Sequence, residues 1–156
     1  MISKTTILAV RTLMHIGKHK GNAVHSPRQV AEVLKESPTY LAKVTRQLVK
    51  SGILRAEKGA HGGVYLGRAA GDITLLEIVE ACQGAIVGDY CRPECDKRLT
   101  CSYHVAAQEL RDAIVSVLSQ WTLERLMERP SSNRVGHLTG LICLMAGGQP
   151  QAASAR

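Results

Sequence analysis

The sequence predicts a mainly α-helical chain: three short helices lead into a two-stranded hairpin, followed by a cysteine-bearing loop and one long helix. Three observations carry that expectation. Of the 156 residues 45% are hydrophobic, yet there is no Phe, one Trp and four Tyr, so the core has to be built from Leu, Ile, Val and Ala, which favours helices. Apolar residues recur at three- and four-residue spacing through most of the first fifty positions, the period of a helix burying one face. Two short apolar runs between positions 53 and 66 flank a segment rich in Gly and charge, the mark of a hairpin. A chain of this length buries one sizeable core, or a small domain plus an accessory element such as a dimerisation helix.

Each element has its own signal. Residues 5 to 18, TTILAVRTLMHIGK, place Ile7, Val10, Leu13, Met14 and Gly17 on one stripe. Ser26-Pro27 opens RQVAEVLKE, with Ser as N-cap, Pro where a missing N–H costs nothing, and Gln29 completing a capping box. Ser37-Pro38 repeats the start signal, and TYLAKVTRQLVKSG runs to Gly52 as its stop. Ile53 and Leu54 begin a strand, RAEKGAHGG turns, and Val64-Tyr65-Leu66 returns. Thr74 and Glu77 form a capping box for a helix with Leu75, Ile78, Val79 and Cys82 along one stripe and Gly84 at its end, which assigns Cys82 to the core. Residues 85 to 101 lack periodicity, and a loop of that length in a compact domain has a job or is disordered. From Ser102 a long helix carries Val105, Leu110, Ala113, Ile114, Val117, Leu118 and Trp121 as a seam too long for a small domain to cover, so a second copy of the chain is expected there. Thr122 to Leu126 open a short terminal helix. Beyond Pro130, Leu138, Leu141, Ile142, Leu144 and Met145 form an apolar cluster that includes Cys143, and GGQPQAASAR reads as disordered.

Charge divides the chain. Up to Arg68 twelve Lys and Arg face three acids, and from Ala69 onward eight face ten; no acid precedes Glu32. A basic first half fits a polyanionic partner, although a solvated basic face has the same composition. The third helix sharpens the reading. Leu41, Val44 and Leu48 line one side, leaving Ser37, Thr39, Tyr40, Lys43, Arg46, Gln47 and Lys50 outward or flanking, side chains suited to phosphate and base edges. The hairpin adds Arg55, Lys58 and His61 at a basic tip. Three helices followed by such a hairpin describe a winged helix-turn-helix, one helix in the major groove and the wing along neighbouring backbone. The partner is then a double-stranded DNA operator, read by a homodimer. The interrupted N-terminal apolar run, broken by Arg11, His15 and Lys18, supports neither signal peptide nor membrane span, so a cytoplasmic protein is expected.

The loop raises a second chemistry. Residues 91 to 104, CRPECDKRLTCSYH, gather Cys91, Cys95, Cys101 and His104, three soft thiolates and an imidazole that make a tetrahedral donor set for an iron-sulfur cluster or for zinc. Arg92, Lys97 and Arg98 beside the thiols also fit a metal-free redox switch, as an alternative. A thiol oxidoreductase lacks its C-x-x-C, and no Ser-His-Asp, phosphate-loop or HExxH pattern is present, so no enzyme is expected.

Ala9-Val10-Arg11-Thr12-Leu13, Ser37-Pro38-Thr39-Tyr40-Leu41 and Leu54-Arg55-Ala56-Glu57-Lys58-Gly59-Ala60-His61-Gly62-Gly63 resemble the signature segments of the IscR/NsrR (BadM/Rrf) winged-helix transcription regulators, over roughly residues 1 to 130. The resemblance implies a dimer through the long helix and an iron-sulfur cluster held by three loop cysteines. In the members resembling IscR a histidine three positions after the last cysteine completes the set, as Cys95, Cys101 and His104 are spaced here. The first interval, Cys91 to Cys95, has three intervening residues where the family has about five, and Val64 stands where an aromatic residue often follows the Gly pair. Members resembling NsrR take a carboxylate from the first helix, at the position of Ile7, to hold a 4Fe-4S cluster; with no acid there, a 2Fe-2S cluster on three Cys and His104 is favoured, zinc or no metal being the alternatives. The organisation expected is residues 1–70 as the DNA-binding domain, 71–130 as sensor loop (85–104) with dimerisation helix, and 131–156 as a partly disordered tail. The function expected is regulation of transcription in response to iron-sulfur, redox or nitric oxide status.

Overall fold

Ser3 opens the first helix in the computed structural model, which describes residues 2–19, 23–59, 62–86 and 102–128. Its hydroxyl accepts the Thr6 N–H at 3.2 Å, and α1 runs over Lys4–Gly17. This helix lies at the centre of the fold, packed against the second and third helices, the second hairpin strand, and two later helices. Its buried surface is therefore wider than a single stripe. Leu8, Ala9, Thr12 and Ile16 are buried along with Val10 and Leu13, whereas Ile7 and Met14 are only half-buried. The buried Thr12 hydroxyl donates to the Leu8 carbonyl at 2.8 Å, which removes the penalty of an unpaired polar group.

Helices α2 (Pro27–Leu34) and α3 (Pro38–Lys50) follow as read from the sequence, each beginning at proline. Neither Ser26 nor Ser37 makes a side-chain capping bond, so the capping box expected with Gln29 does not form. The start comes instead from the Ser-Pro backbone: extended serine, then a proline whose fixed φ suits the first helical position. Between the helices Lys35 adopts the left-handed conformation, φ 55°, and Glu36 N–H donates to the Ala31 carbonyl at 2.9 Å. Arg11 of α1 braces this turn from below. Its guanidinium meets the Glu36 carboxylate at 2.7 Å and donates to the Leu34 carbonyl at 2.9 Å.

Strands β1 (Leu54–Glu57) and β2 (Gly63–Leu66) pair antiparallel with Leu54 opposite Leu66 and Ala56 opposite Val64. Leu54 and Val64 point into the core. His25 adds a one-residue third strand: its N–H and carbonyl exchange hydrogen bonds with Val64, both at 2.9 Å. That pairing explains the second glycine of Gly62-Gly63. A Cβ on Gly63 would fall 2.4 Å from the His25 carbonyl oxygen, a contact no side chain can make.

Helix α4 (Leu75–Gln83) has the capping box the sequence predicts: Thr74 Oγ1 accepts the Glu77 N–H at 3.2 Å, and the Glu77 carboxylate accepts the Thr74 N–H at 2.8 Å. Helix α5 (Ser102–Gln120) then leads to α6 (Leu123–Glu128), and the junction between them is laced to the start of α4. Leu75 N–H donates to the Trp121 carbonyl at 2.7 Å, and Leu123 N–H donates to the Ile73 carbonyl at 2.8 Å. One aliphatic core thus runs from Leu8, Leu13 and Leu41 through Leu48 and Val64 to Ile73, Ile78 and Leu123.

Candidate nucleic-acid interface

Burial of Leu41, Val44 and Leu48 against α1 fixes which side of α3 faces out. Thr39, Lys43, Arg46 and Lys50, at spacings of four, three and four, are exposed on that outer face, and Ser37 is exposed just before it. The helix contains no acid, and none of its three cations is ion-paired among the described residues, where salt bridges form only between Arg11 and Glu36, Arg28 and Glu32, and Arg68 and Glu77. Arg55 and Lys58 extend the same charge onto β1 and the entry to the hairpin turn, both exposed. His61 lies outside the described residues.

Two members of the expected set are placed differently. Tyr40 is half-buried, packs on the core and shares a 2.9 Å hydrogen bond with Thr5 Oγ1, which ties α3 to α1. Gln47 is half-buried, and its side-chain oxygen is enclosed with no hydrogen-bond partner among the described residues. Arg46 is the freer of the two neighbours for a base edge. Sequence reasoning missed Arg11 as the brace of the α2–α3 turn; its signal was a lone guanidinium between the buried Val10 and Thr12 of α1.

Of the expected ligand set, Cys91, Cys95 and Cys101 lie outside the described residues, while His104 is half-buried on the first turn of α5. Cys82 is half-buried on α4 against the core. Burial pushes its thiol pKa up, only partly offset by a hydrogen bond with the Thr6 side chain, so it stays a protonated packing group rather than a reactive thiolate.

The long helix divides its apolar residues between two sides. Leu118 is buried and Ile114 half-buried, as is Trp121 just past the helix end, all packed toward the chain's own fold. Tyr103, Val105, Leu110, Ala113 and Val117 are exposed, Leu110 at 63% and Val117 at 56%, values far above those of a core face. The single seam expected from periodicity is therefore two faces, one of them left exposed among the described residues.

The Rrf2 family profile, described as iron-dependent transcriptional regulators, matches residues 2–129. The chain is 30% identical over 124 residues to the protein rrf2 of Nitratidesulfovibrio vulgaris, covering 78% of this chain and 83% of that one. It is 26% identical over 122 residues to the HTH-type transcriptional regulator IscR of Xenorhabdus nematophila, covering 77% and 74%. Its fold superposes on CymR, the global cysteine regulator of B. subtilis, with a TM-score of 0.66 at 24% identity over 82% of this chain and 96% of that one. No helix among the described residues is long and apolar enough to cross a membrane.

Proposed function

The chain belongs to the Rrf2 family of DNA-binding transcriptional regulators, and from that premise we propose that it reads a two-fold symmetric operator as a homodimer under the control of an iron-sulfur cluster. In this reading α3 of each copy enters a major groove and the β1–β2 wing follows adjacent backbone. The observation that carries the DNA half is the exposed row Lys43, Arg46 and Lys50, continued by Arg55 and Lys58, with no ion-pair partner among the described residues. Cations without intramolecular partners stay available to phosphates, and their binding releases counterions from the duplex.

Cys91, Cys95, Cys101 and His104 are the residues proposed to hold the cluster. Three anionic sulfurs and one imidazole suit iron-sulfur chemistry, and α1 offers no acid that would replace the histidine. That donor set favours a 2Fe-2S centre over 4Fe-4S. When bound, such a group supplies a redox-active centre sensitive to oxidants and nitric oxide. His104 is carried on the first turn of α5, and α5 is tied through the Trp121 carbonyl to the start of α4 and so to the DNA-reading core. A change in the loop thereby has a covalent and hydrogen-bonded route to α3.

The tests separate the two halves. Duplex fragments selected from a random library should be bound with a steep salt dependence, and Lys43→Ala with Arg46→Ala should lower the slope of log affinity against log salt by about one for each lost phosphate contact. Wild-type affinity in that double variant removes α3 from the reading role. Protein purified without oxygen should absorb in the visible and contain iron and sulfide, and Cys95→Ala or Cys101→Ala should abolish both and change DNA affinity. Zinc in place of iron, or a colourless protein whose DNA binding follows thiol oxidants, replaces the cluster with the zinc or thiol-switch form of the same regulator.

A further inference from the structure

Away from the cysteine loop, three imidazoles converge where α1 ends. We propose that His15, His19 and His25 form a binding site for one divalent transition-metal ion of the zinc class, built into the DNA-reading half of the chain. One ring nitrogen from each lies within 4.8 Å of those of the other two. The ring centroids are 5.3 Å apart for His15 and His19, 4.6 Å for His19 and His25, and 5.8 Å for His15 and His25. Tetrahedral zinc with bonds of about 2.0–2.1 Å sets its nitrogens about 3.3 Å apart, so the rings need to close by at most about 1.5 Å, within the reach of side-chain rotation.

Each histidine is presented for the purpose by its local structure. His15 lies in the last turn of α1 and His19 just past its C-cap, where the His19 N–H donates to the Ile16 carbonyl at 3.3 Å; this carries the turn on and brings the two rings side by side. This is the carbonyl end of the helix, which favours a cation. His19 Nδ1 lies 3.1 Å from the His15 carbonyl oxygen, which can only accept, so in the neutral ring the proton sits on Nδ1 and the Nε2 lone pair is left for a ligand. His25 is held by its two backbone bonds to Val64, and its Nε2 is buried with no hydrogen-bond partner among the described residues. A buried imidazole nitrogen without a partner is costly, and a metal ion supplies the missing one.

The charge state agrees with this use. Burial pushes the His15 pKa down, helped by the neighbouring His19 and Lys18, and burial with His19 and His15 does the same for His25. Both shifts favour the neutral ring that ligation requires. Three nitrogens without a carboxylate exclude Ca²⁺ and Mg²⁺, which take oxygen donors, and leave a fourth position for water or an anion. Bound there, an ion would clasp the end of α1 to the His25 strand and, through Val64, to the wing. This site owes nothing to the cysteine loop and stands whether or not that loop holds a cluster.

The experiment titrates tag-free full-length protein with Co²⁺, in a Cys91→Ser, Cys95→Ser, Cys101→Ser background and in the unaltered chain purified without metal. One equivalent should give visible ligand-field absorption without a thiolate charge-transfer band in the triple variant, be displaced by Zn²⁺, and raise the melting temperature. His15→Ala and His19→Ala should each weaken binding at least about tenfold, in both backgrounds, without lowering the melting temperature of the metal-free protein. His25→Ala should do the same; if it does not fold, the paired His15→Ala and His19→Ala variant decides. No cobalt spectrum and no zinc-dependent shift in melting, or binding that survives that pair, overturns the proposal and leaves the three rings as packing.

Discussion

Arg11 shows how much one side chain can decide in a reading head this small. It sits on α1 with its side chain only 14% exposed, and it holds both the carboxylate of Glu36 and the carbonyl of Leu34 across the α2–α3 turn. A hydrogen bond to a charged group contributes about 1.5–3 kcal/mol, less where water has access, so Arg11→Ala should cost about 1–3 kcal/mol by urea denaturation. DNA affinity should fall with it, because the turn sets the angle of α3. Arg11→Lys should recover only part, since an ammonium cannot span both acceptors as a guanidinium does. An unchanged denaturation midpoint in Arg11→Ala would show that the turn holds without its brace. Gly63 is the complementary case, where the absence of a side chain matters. Its backbone passes so close to the His25 carbonyl that Gly63→Ala must separate the third strand from β2, at about 1–3 kcal/mol. Amide exchange read by NMR should show His25 and Val64 losing protection together, and retained protection at both would contradict the close approach.

At the scale of elements, α4 is the test of how far local chemistry carries. Burial of Glu77 raises its pKa, but the Thr74 N–H, the Arg68 guanidinium and the Thr74 hydroxyl outweigh that and hold it below the usual carboxylate value. A carboxylate whose folded pKa is depressed contributes stability above its unfolded pKa, about 4.3, and loses it as pH falls through the lower folded value. The wild type should therefore lose more stability between pH 6 and pH 3 than Glu77→Gln does in matched urea melts. Equal losses would mean the capping box is not ionic. This box was legible from Thr74 and Glu77 alone, because both partners lie within one turn of chain. The same pattern misled at α2, where Ser26 and Gln29 have the right types and spacing yet the serine hydroxyl makes no capping bond. Order, type and extent of the helices and hairpin were readable because period and turn residues are local. Three features were not. The His25 strand is one residue long and has no period, the width of the α1 core face depends on α4 and α6 packing from afar, and Tyr40 looks outward until Thr5 is brought beside it.

On the scale of the whole molecule, α5 presents an exposed apolar face of its own. Periodicity tells which residues share a side of a helix; it does not tell which neighbour they meet, and here Ile114 and Leu118 of α5, with Trp121 just past its end, turn inward while Leu110, Ala113 and Val117 face water. An exposed row of that kind on a nineteen-residue helix is what an isologous pairing of two chains would bury. In the proposed reading the pairing would matter for DNA, since two copies of α3 held at a fixed spacing would read two half-sites and add their phosphate contacts. Leu110→Glu with Val117→Glu places like charges against each other in such an interface and leaves each chain's own core untouched, because both residues are exposed in the single chain. Light scattering should show the mass halved relative to the wild type, with the far-ultraviolet circular dichroism preserved. Binding to a single half-site should persist, the affinity advantage of the full operator should vanish, and the salt slope should fall to about half as the number of neutralised phosphates halves. A wild-type protein that is already monomeric at micromolar concentration, or a double variant that keeps its mass and its preference for the full operator, would place the dimer contact elsewhere than on α5.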